Sequence, residues 1–504
     1  MSSLQSVTLR VAVFAAGALL MALEVAAFRI IGKTFGSALR ETTTVIAVFL
    51  AAMSVGYWAG GRIADRRPHA STLVGALMTA AASLLVVPWI DAALSPRIAA
   101  SNLAMAAHAF LATSVLFALP TVLLAATSPI AIRLFTTTTG SSGSTAGSIS
   151  AISTIGSIAG SIVTAFFLID WLESISRTVL FVALGVAATA LLVWASSREG
   201  TRTRFVPAAA ATLLLVVITV VFVRSTSLDR ALAAPLEDAR VLYVADSPYH
   251  RVTVRERGAF RELYFNVAKQ TRMRLHDPHG PGLAYTDAFH IAPLMRPSIR
   301  RILFIGLGGG TAAKQFLRHY PQATIDVVEI DPLVVQVARK WFAVPVDPRL
   351  RIHVADGRTF LKRSSEKWDL VVIDAYTTNR YGDTIPAHLT TREFFAEVDA
   401  HLSERGIVHF HCAFHQPRVL GAIQRTMASV FPSVLRTSGE LLASRVPLIA
   451  ERETLLAGLA SSELKRLPHL ARSIDALTAE RLGDAGTLLL TDDYAPVDTL
   501  IHGQ

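Results

Sequence analysis

Two architectures in series are predicted for this chain of 504 residues: a polytopic helical membrane domain, then an α/β domain built on a parallel sheet. Three observations predict them. Hydrophobic residues make up 52% and charged residues 17%, too apolar for an ordinary soluble protein, and the excess lies in the first 224 residues. There, apolar runs near or above the ~20 residues a spanning helix needs recur with charges collected between them. From Arg301 to Asp374 the chain reads as an apolar strand, a glycine loop, a helix, and three further segments each closed by an acidic residue. Between these regions, from Val241, the pattern changes to period two, as a small antiparallel sheet requires. The predicted boundaries are 1–224 for the membrane domain, 225–240 for a linker, 241–298 for the small sheet and 299–504 for the parallel-sheet domain.

Seven candidate spans lie at about residues 8–31, 43–64, 71–91, 100–135, 146–169, 176–195 and 205–223. The fourth is long and holds Pro120 and Pro129, so it reads as one kinked helix or a tight pair. Ser and Thr dominate Thr136 to Thr145, which reads as a loop. Gly56 with Gly60 and Gly156 with Gly160 have the spacing that lets helices approach closely. Glu24 and Arg29 sit within the first span, where ionisable groups are costly unless paired or wet. The first apolar run lacks a cleavage site and reads as a retained span. Gly61-Arg-Ile-Ala-Asp-Arg-Arg67 resembles the short cytoplasmic loop motif of major facilitator transporters. That places the second loop inside; the C-terminal half is inside as well only with an even number of spans, so the seven candidates require residues 100–135 to cross twice.

In the C-terminal half, Arg251-Val-Thr-Val-Arg255 and Glu262-Leu-Tyr-Phe-Asn266 alternate around a turn at Gly258. Strand Arg301–Ile305 opens into Gly306-Leu-Gly308-Gly309-Gly310, where missing side chains let backbone amides and a helix N-terminus approach a ligand. Thr324–Val328 ends in Glu329-Ile-Asp331, about the spacing at which an acid meets ribose hydroxyls. Ala355-Asp356-Gly357 closes the third segment and Asp374 the fourth. Ligands of open parallel sheets sit outside the carboxyl ends of the strands, so these acids converge on one crevice. Helices are predicted at about 311–319, 332–342 and 391–402, the last with Thr390 and Glu393 as a capping box. After Glu451 the tail is mostly helical until Leu488.

The net charge of +10 arises largely from Arg in short loops between spans, without aromatics interleaved along a groove. That pattern fits lipid headgroups and excludes a nucleic-acid partner. A single cysteine, Cys412, rules out an intramolecular disulfide, and no Cys-based metal site is evident.

With these residues in place the chain resembles the spermidine synthase family, specifically its membrane-fused members with transporter-like helices ahead of an aminopropyltransferase domain. In the membrane half the resemblance rests on Leu23-Glu-Val25, Arg29, Phe35-Gly36 and Gly56 to Arg66. In the soluble half it rests on Ser247-Pro-Tyr249, Gln270, Tyr285-Thr-Asp287, the glycine loop, Glu329-Ile-Asp331, Asp356-Gly357, Asp374, Ile385-Pro-Ala-His388 and Thr491 to Val497. It implies a Rossmann-like, methyltransferase-type domain in a multi-pass protein of the cell (inner) membrane. It implies that Glu329 binds the ribose of decarboxylated S-adenosylmethionine, Asp356 the adenine, and Gln270 the donor or acceptor chain, with Gly306, Gly308, Gly310, Asp331 and Gly357 completing the donor site. It implies that Asp374 is the catalytic carboxylate. An amine nitrogen attacks only when unprotonated, so a proton acceptor beside it is what the step needs. Tyr249, Tyr264 and Tyr376 offer ring faces to a cationic, putrescine-like amine, and Tyr285 and Asp287 join them as substrate contacts. A metal is neither needed nor suggested. Soluble relatives are typically oligomers, which carries the expectation of a homo-oligomer.

The chain departs from the family pattern twice. Where soluble members have an Asp in the glycine loop it has Gly309, and where they have a second Asp three residues after the catalytic one it has Thr377. Asp383, Asp492 and Asp493 are candidate substitutes, and His388 is expected to make a loop hydrogen bond. The leading expectation is aminopropyl transfer to putrescine or a related amine. A second keeps the sheet but uses intact S-adenosylmethionine, as a methyltransferase of a small amine or lipid. A third makes the soluble half a polyamine-sensing module for transport by the helices.

Overall fold

The computed structural model describes residues 3–35, 39–99, 101, 105–136, 142–197, 239–266, 268–375, 377–379, 382–412, 417–448, 451–480, 488–497 and 500. These divide into two compact units, one of helices together with Tyr243–Arg251, the other containing Val252 onward.

The helical unit holds α1 (Ser3–Phe35), α2 (Leu39–Arg66), α3 (Ala70–Ala99), α4 (Met105–Ala125), α5 (Thr127–Phe135), α6 (Ser142–Val163), the short α7 (Ile169–Leu172) and α8 (Ile175–Ser196). Among the described residues six stretches are long and apolar enough to cross a bilayer. The seventh expected span, 205–223, and most of the expected linker lie outside the described residues. The fourth span is one stretch broken at Ala126, because Pro129 lacks the amide that would reach back to the Ala125 carbonyl. The expected loop from Thr136 to Thr145 is shorter than read: Ser142 already starts α6.

Close helix contact is what the spaced glycines provide. A Cβ on Gly156 would stand 2.1 Å from the Phe14 carbonyl oxygen, and one on Gly160 2.0 Å from that of Ala18. Gly56 meets the Val122 carbonyl oxygen in the same way at 2.4 Å. Two ionisable groups of α1, Lys33 and Arg29, have partners, as a low-dielectric setting demands. Lys33 forms an ion pair with Asp91, whose other oxygen accepts the Ser95 hydroxyl at 2.7 Å. Arg29 Nη2 donates to the Ser247 carbonyl at 2.9 Å, the structural pairing rather than a free charge.

After the helices in the chain, β1 (Arg240–Asp246), β2 (Arg251–Arg257), β3 (Phe260–Phe265) and β4 (Ala268–Arg274) form a four-stranded sheet in that order. β2, β3 and β4 pair antiparallel, with Val254 opposite Leu263 and Leu263 opposite Thr271. A 3₁₀ turn (Ala284–His290) and α9 (Ile291–Met295) lead into the main sheet. Its strands are β5 (Arg301–Ile305), β6 (Thr324–Glu329), β7 (Leu350–Val354), β8 (Trp368–Ile373), β11 (Leu402–His411), β12 (Ser433–Arg436) and β13 (Glu440–Ser444), in the order β12-β13-β11-β8-β5-β6-β7. β9 (Thr377–Asn379) and β10 (Gly382–Thr384) pair as a separate ribbon. Strands β5 to β8 and β11 run parallel, while β13 returns antiparallel to β11.

Alternation divides the apolar side chains between the two faces. Ile302, Phe304, Val327, Leu370 and Val372 pack in one buried cluster, and Leu303, Ile305, Val328, Val371 and Ile373 in another. Each such side chain contributes ~1.5–3 kcal/mol when fully buried, which makes these near-continuous apolar runs central strands covered on both sides. The helices are α10 (Thr311–His319), α11 (Pro332–Trp341), α12 (Gly357–Arg363), α13 (Arg392–Ala400), α14 (Pro417–Ala428), α15 (Arg452–Ser461) and α16 (Leu470–Asp475). The cap of α13 is Thr391, not Thr390: its hydroxyl accepts the Phe394 amide at 3.2 Å. Glu393 does not close a capping box but accepts the Asp492 amide at 3.0 Å.

Candidate active site

The parallel ladder continues one residue past the strands, and that extension builds the site. Gly306 N donates to the Val328 carbonyl at 2.8 Å, Asp374 N to that of Ile305 at 2.9 Å, and Ala355 N to that of Glu329 at 3.1 Å. The glycine loop, Glu329, Ala355 and Asp374 are thereby set level along one edge, at the carboxyl ends where such sheets bind ligands. β5 is the switch point, with β6 and β7 on one side and β8 and β11 on the other.

Glycine is required where the loop touches Asp374. At φ 107°, Gly306 has room for no side chain, since a Cβ would stand 2.2 Å from the Asp374 carbonyl oxygen. Gly310, at φ 72°, precedes α10 and faces Val344 Cγ2 at 2.4 Å from a would-be Cβ. Gly309 has a different constraint: its amide donates to Thr271 Oγ1 at 2.9 Å, and a Cβ would meet Thr271 Cγ2 at 2.5 Å. Thr271 therefore fills the space that a side chain at position 309 would enter. Gln270, its neighbour on β4, is buried.

Asp374 keeps partial exposure as a residue, yet its Oδ1 is out of reach of solvent and has no hydrogen-bond partner. Oδ2 accepts the Tyr285 hydroxyl at 3.2 Å. Burial pushes its carboxyl up to about 7; a cationic His411 draws it down, and the charges of Glu440 and Glu329 add to the rise. A group poised near neutrality is what general-base chemistry needs. Glu329, buried, accepts the Leu307 amide on Oε2 and the Asp331 amide on Oε1, both at 3.0 Å, and burial raises it to about 7 as well. The Gly308 amide also bonds this carboxylate, so about one of its roughly four acceptor sites remains for a ligand hydroxyl.

Two predicted donor contacts have local duties. Asp331 caps α11 by accepting the Leu333 amide at 2.9 Å. Asp356 caps α12 through the Thr359 amide at 2.8 Å, and its other oxygen pairs with His388 Nε2 at 3.0 Å, the loop hydrogen bond expected of that histidine. Gly357 starts α12 against Ile305 Cγ2, 2.5 Å from a would-be Cβ.

The predicted substrate contacts divide. Tyr285 reaches Asp374; Asp287 does not, being fully buried with Oδ2 on the His469 amide at 3.2 Å. Tyr264 donates to Glu262 at 2.9 Å on its own strand, with Arg255 4.8 Å over its ring, so its cation is an internal one. Tyr249 falls within the helical unit, its amide on Ser247 Oγ at 3.1 Å. Tyr376 lies outside the described residues. Of the candidate substitute acids, Asp492 is committed to Arg358, which also holds Glu397. That clamp draws the Asp492 carboxyl down to about 2. Asp493 is exposed, and the Asp383 side chain lies outside what is described.

The sequence reading missed Thr271, His409, His411 and Glu440. Histidines two apart on a predicted strand share a face, the one signal available for them.

The family model of the spermine/spermidine synthase domain matches residues 284–441. The polyamine aminopropyltransferase of Vibrio vulnificus is 29% identical over 286 residues, covering 52% of this chain and 91% of that protein. A probable polyamine aminopropyl transferase of Bifidobacterium longum is 27% identical, covering 59% of this chain and 70% of that protein. The crystal structure of spermidine synthase from Thermotoga maritima aligns at 22% identity and a TM-score of 0.36, covering 45% of this chain and 87% of that one. By the domain match and the two sequence relatives, residues 284–441 carry a spermine/spermidine synthase domain and the C-terminal half of the chain is similar to polyamine aminopropyltransferases.

Proposed function

We propose that the chain transfers an aminopropyl group from decarboxylated S-adenosylmethionine to putrescine or a related amine. The amine nitrogen forms a bond to the propyl carbon beside the sulfonium. The carbon–sulfur bond breaks with its electron pair going to sulfur, releasing methylthioadenosine. The proton shed by the amine passes to Asp374. One observation carries the reading: a carboxyl raised to about 7, with one unpartnered oxygen, beside a glycine cradle and a buried Glu329. The glycines at 306, 308, 309 and 310, bare of side chains, let a ligand approach the loop closely, the remaining acceptor capacity of Glu329 suits a nucleoside hydroxyl, and Gly306, Gly308, Gly310, Asp331, Asp356, Gly357 and Gln270 complete the donor side. Tyr285 orients Asp374 on the acceptor side.

A second reading has its own support. Position 309 has no acid to hold the donor's amino end, Thr271 filling the space that a side chain there would enter, and intact S-adenosylmethionine carries a carboxylate that such an acid would repel. Detergent-solubilised protein incubated with each donor separately distinguishes them: methylthioadenosine marks aminopropyl transfer, S-adenosylhomocysteine methyl transfer. We also propose that the protein is a multi-pass chain of the cell membrane whose enzyme half is cytoplasmic on an even count of spans, such as the six among the described residues. Outward apolar side chains such as Ile158, Phe166 and Phe167 are suited to lipid.

A further inference from the structure

Beside Asp374 and Tyr285 the sheet buries three ionisable side chains that the transfer step does not use. His409 and His411 alternate on β11 and share a face, and the antiparallel register sets His411 opposite Glu440. His411 Nδ1 bonds Glu440 Oε1 at 2.6 Å, and His409 Nε2 bonds Oε2 at 3.1 Å. Relative exposures are 0% for His409, 7% for His411 and 3% for Glu440, so no solvent offsets the carboxylate. A buried carboxylate is tolerated when a cation shares its site, and one proton on this His–Glu–His set makes it neutral.

The His411 ring is fixed on both sides. It lies flat on Tyr285, with centroids 4.1 Å apart and planes at 14°, while Phe289 meets it edge-on at 6.1 Å. Both Glu440 oxygens are taken by imidazoles, so this acid does not stand in for the ammonium-binding acids missing at 309 and 377. Its effect on the site passes through His411. Among the described residues no group of three His, Cys, Asp or Glu is arranged to hold a metal ion.

We propose that His411, protonated and clamped by Glu440, is a positioning residue for this site, its ring holding Tyr285 against Asp374 and its charge favouring the carboxylate form. This rests on the reading of the site as an aminopropyltransferase. The charged and titratable groups acting on Asp374 come from four elements: Tyr285 from the 3₁₀ turn, Glu329 from β6, His411 from β11 and Glu440 from β13. His411 is first among those that counter burial, and Glu440 is itself held below the usual range because the two histidines outweigh its burial.

The test is the pH dependence of kcat for methylthioadenosine release by the full chain in detergent, with His411→Gln against His409→Gln. His411→Gln should move the acid limb up by about one pH unit, an about fivefold loss at pH 7 that shrinks to less than about twofold at pH 9. His409→Gln, which leaves the His411–Glu440 pair, should move it less. Methylthioadenosine affinity should stay within about twofold in both. A His411→Gln limb that is unmoved, or a loss equal at every pH, overturns the proposal. An infrared titration of the carboxyl band absent in Asp374→Asn reads the same displacement without turnover. If the parent releases no methylthioadenosine, the aminopropyl reading fails by itself, and an infrared midpoint unmoved by His411→Gln then sinks this proposal separately.

Discussion

Replacing Asp374 by Asn should separate activity from stability in opposite directions. Asn keeps an oxygen for the Tyr285 hydroxyl, now 3.2 Å from Oδ2, and places an amide where the unpartnered Oδ1 stands. It cannot take a proton, so kcat should fall by roughly 100-fold or more, the scale of general-base assistance. Stability should rise at alkaline pH. The folded carboxyl holds its proton to about 7, against an ordinary value of 3.8. A raised carboxyl favours the fold while protonated, and this contribution is lost as pH climbs from about 4 through about 7. Above that window the ionised carboxylate costs the parent up to about 4 kcal/mol, since each tenfold change in proton affinity is worth about 1.36 kcal/mol. Asn escapes that cost. Thermal unfolding in detergent at pH 5 and pH 8.5 reads it: the parent should lose Tm between the two, and Asp374→Asn should lose less. A variant that is inactive and equally destabilised at both pH values would show that Asp374 is a structural residue, and the reasoning would be wrong.

Other perturbations isolate other parts of the site. Glu329→Ala should weaken methylthioadenosine binding by calorimetry about 10-fold or more, since the contact proposed for it is with the bound nucleoside in the ground state; unchanged affinity removes it from the donor site. Gly309→Asp should cost about 1–3 kcal/mol by overpacking against Thr271, and adding Thr271→Ser, which removes the nearest atom at 2.5 Å, should recover part of it; a fully stable single variant contradicts the clash. Arg358→Ala should cost about 1–3 kcal/mol by unpairing Glu397 and Asp492, and limited proteolysis should then cut near residue 492 faster; an unchanged cutting rate argues against the clamp. The depressed Asp492 carboxyl makes the clamp's contribution fade as pH falls from about 4 towards 2.

What was legible from residues alone follows the range of the forces involved. The strand-loop-helix run from Arg301 announces itself because glycine requirements and apolar alternation are local, and the helices at 311–319 and 332–341 appear where read. Asp374 and Glu329 were legible as strand ends. Their neighbours were not: Tyr285 reaches Asp374 across 89 residues, and Glu440 reaches His411 only through a hairpin-like return strand. Asp331 and Asp356 were read as ligand contacts, yet each carries a helix cap, since an acid at a strand end also stands at the start of the next helix. The one-residue error at Thr390 has the same origin, two adjacent threonines with equal claims to the cap. Thr271 was invisible because its importance lies in the space beside Gly309, which only the fold discloses.

The central claim is that one strand-end carboxylate receives the proton while an aminopropyl group leaves sulfur. Incubating the solubilised full chain with putrescine and decarboxylated S-adenosylmethionine, then quantifying product nucleosides by mass spectrometry, addresses it most directly. Methylthioadenosine formed in equal amount to spermidine, and lost with Asp374→Asn, is the predicted result. S-adenosylhomocysteine from the intact donor with no methylthioadenosine from the decarboxylated one would contradict it.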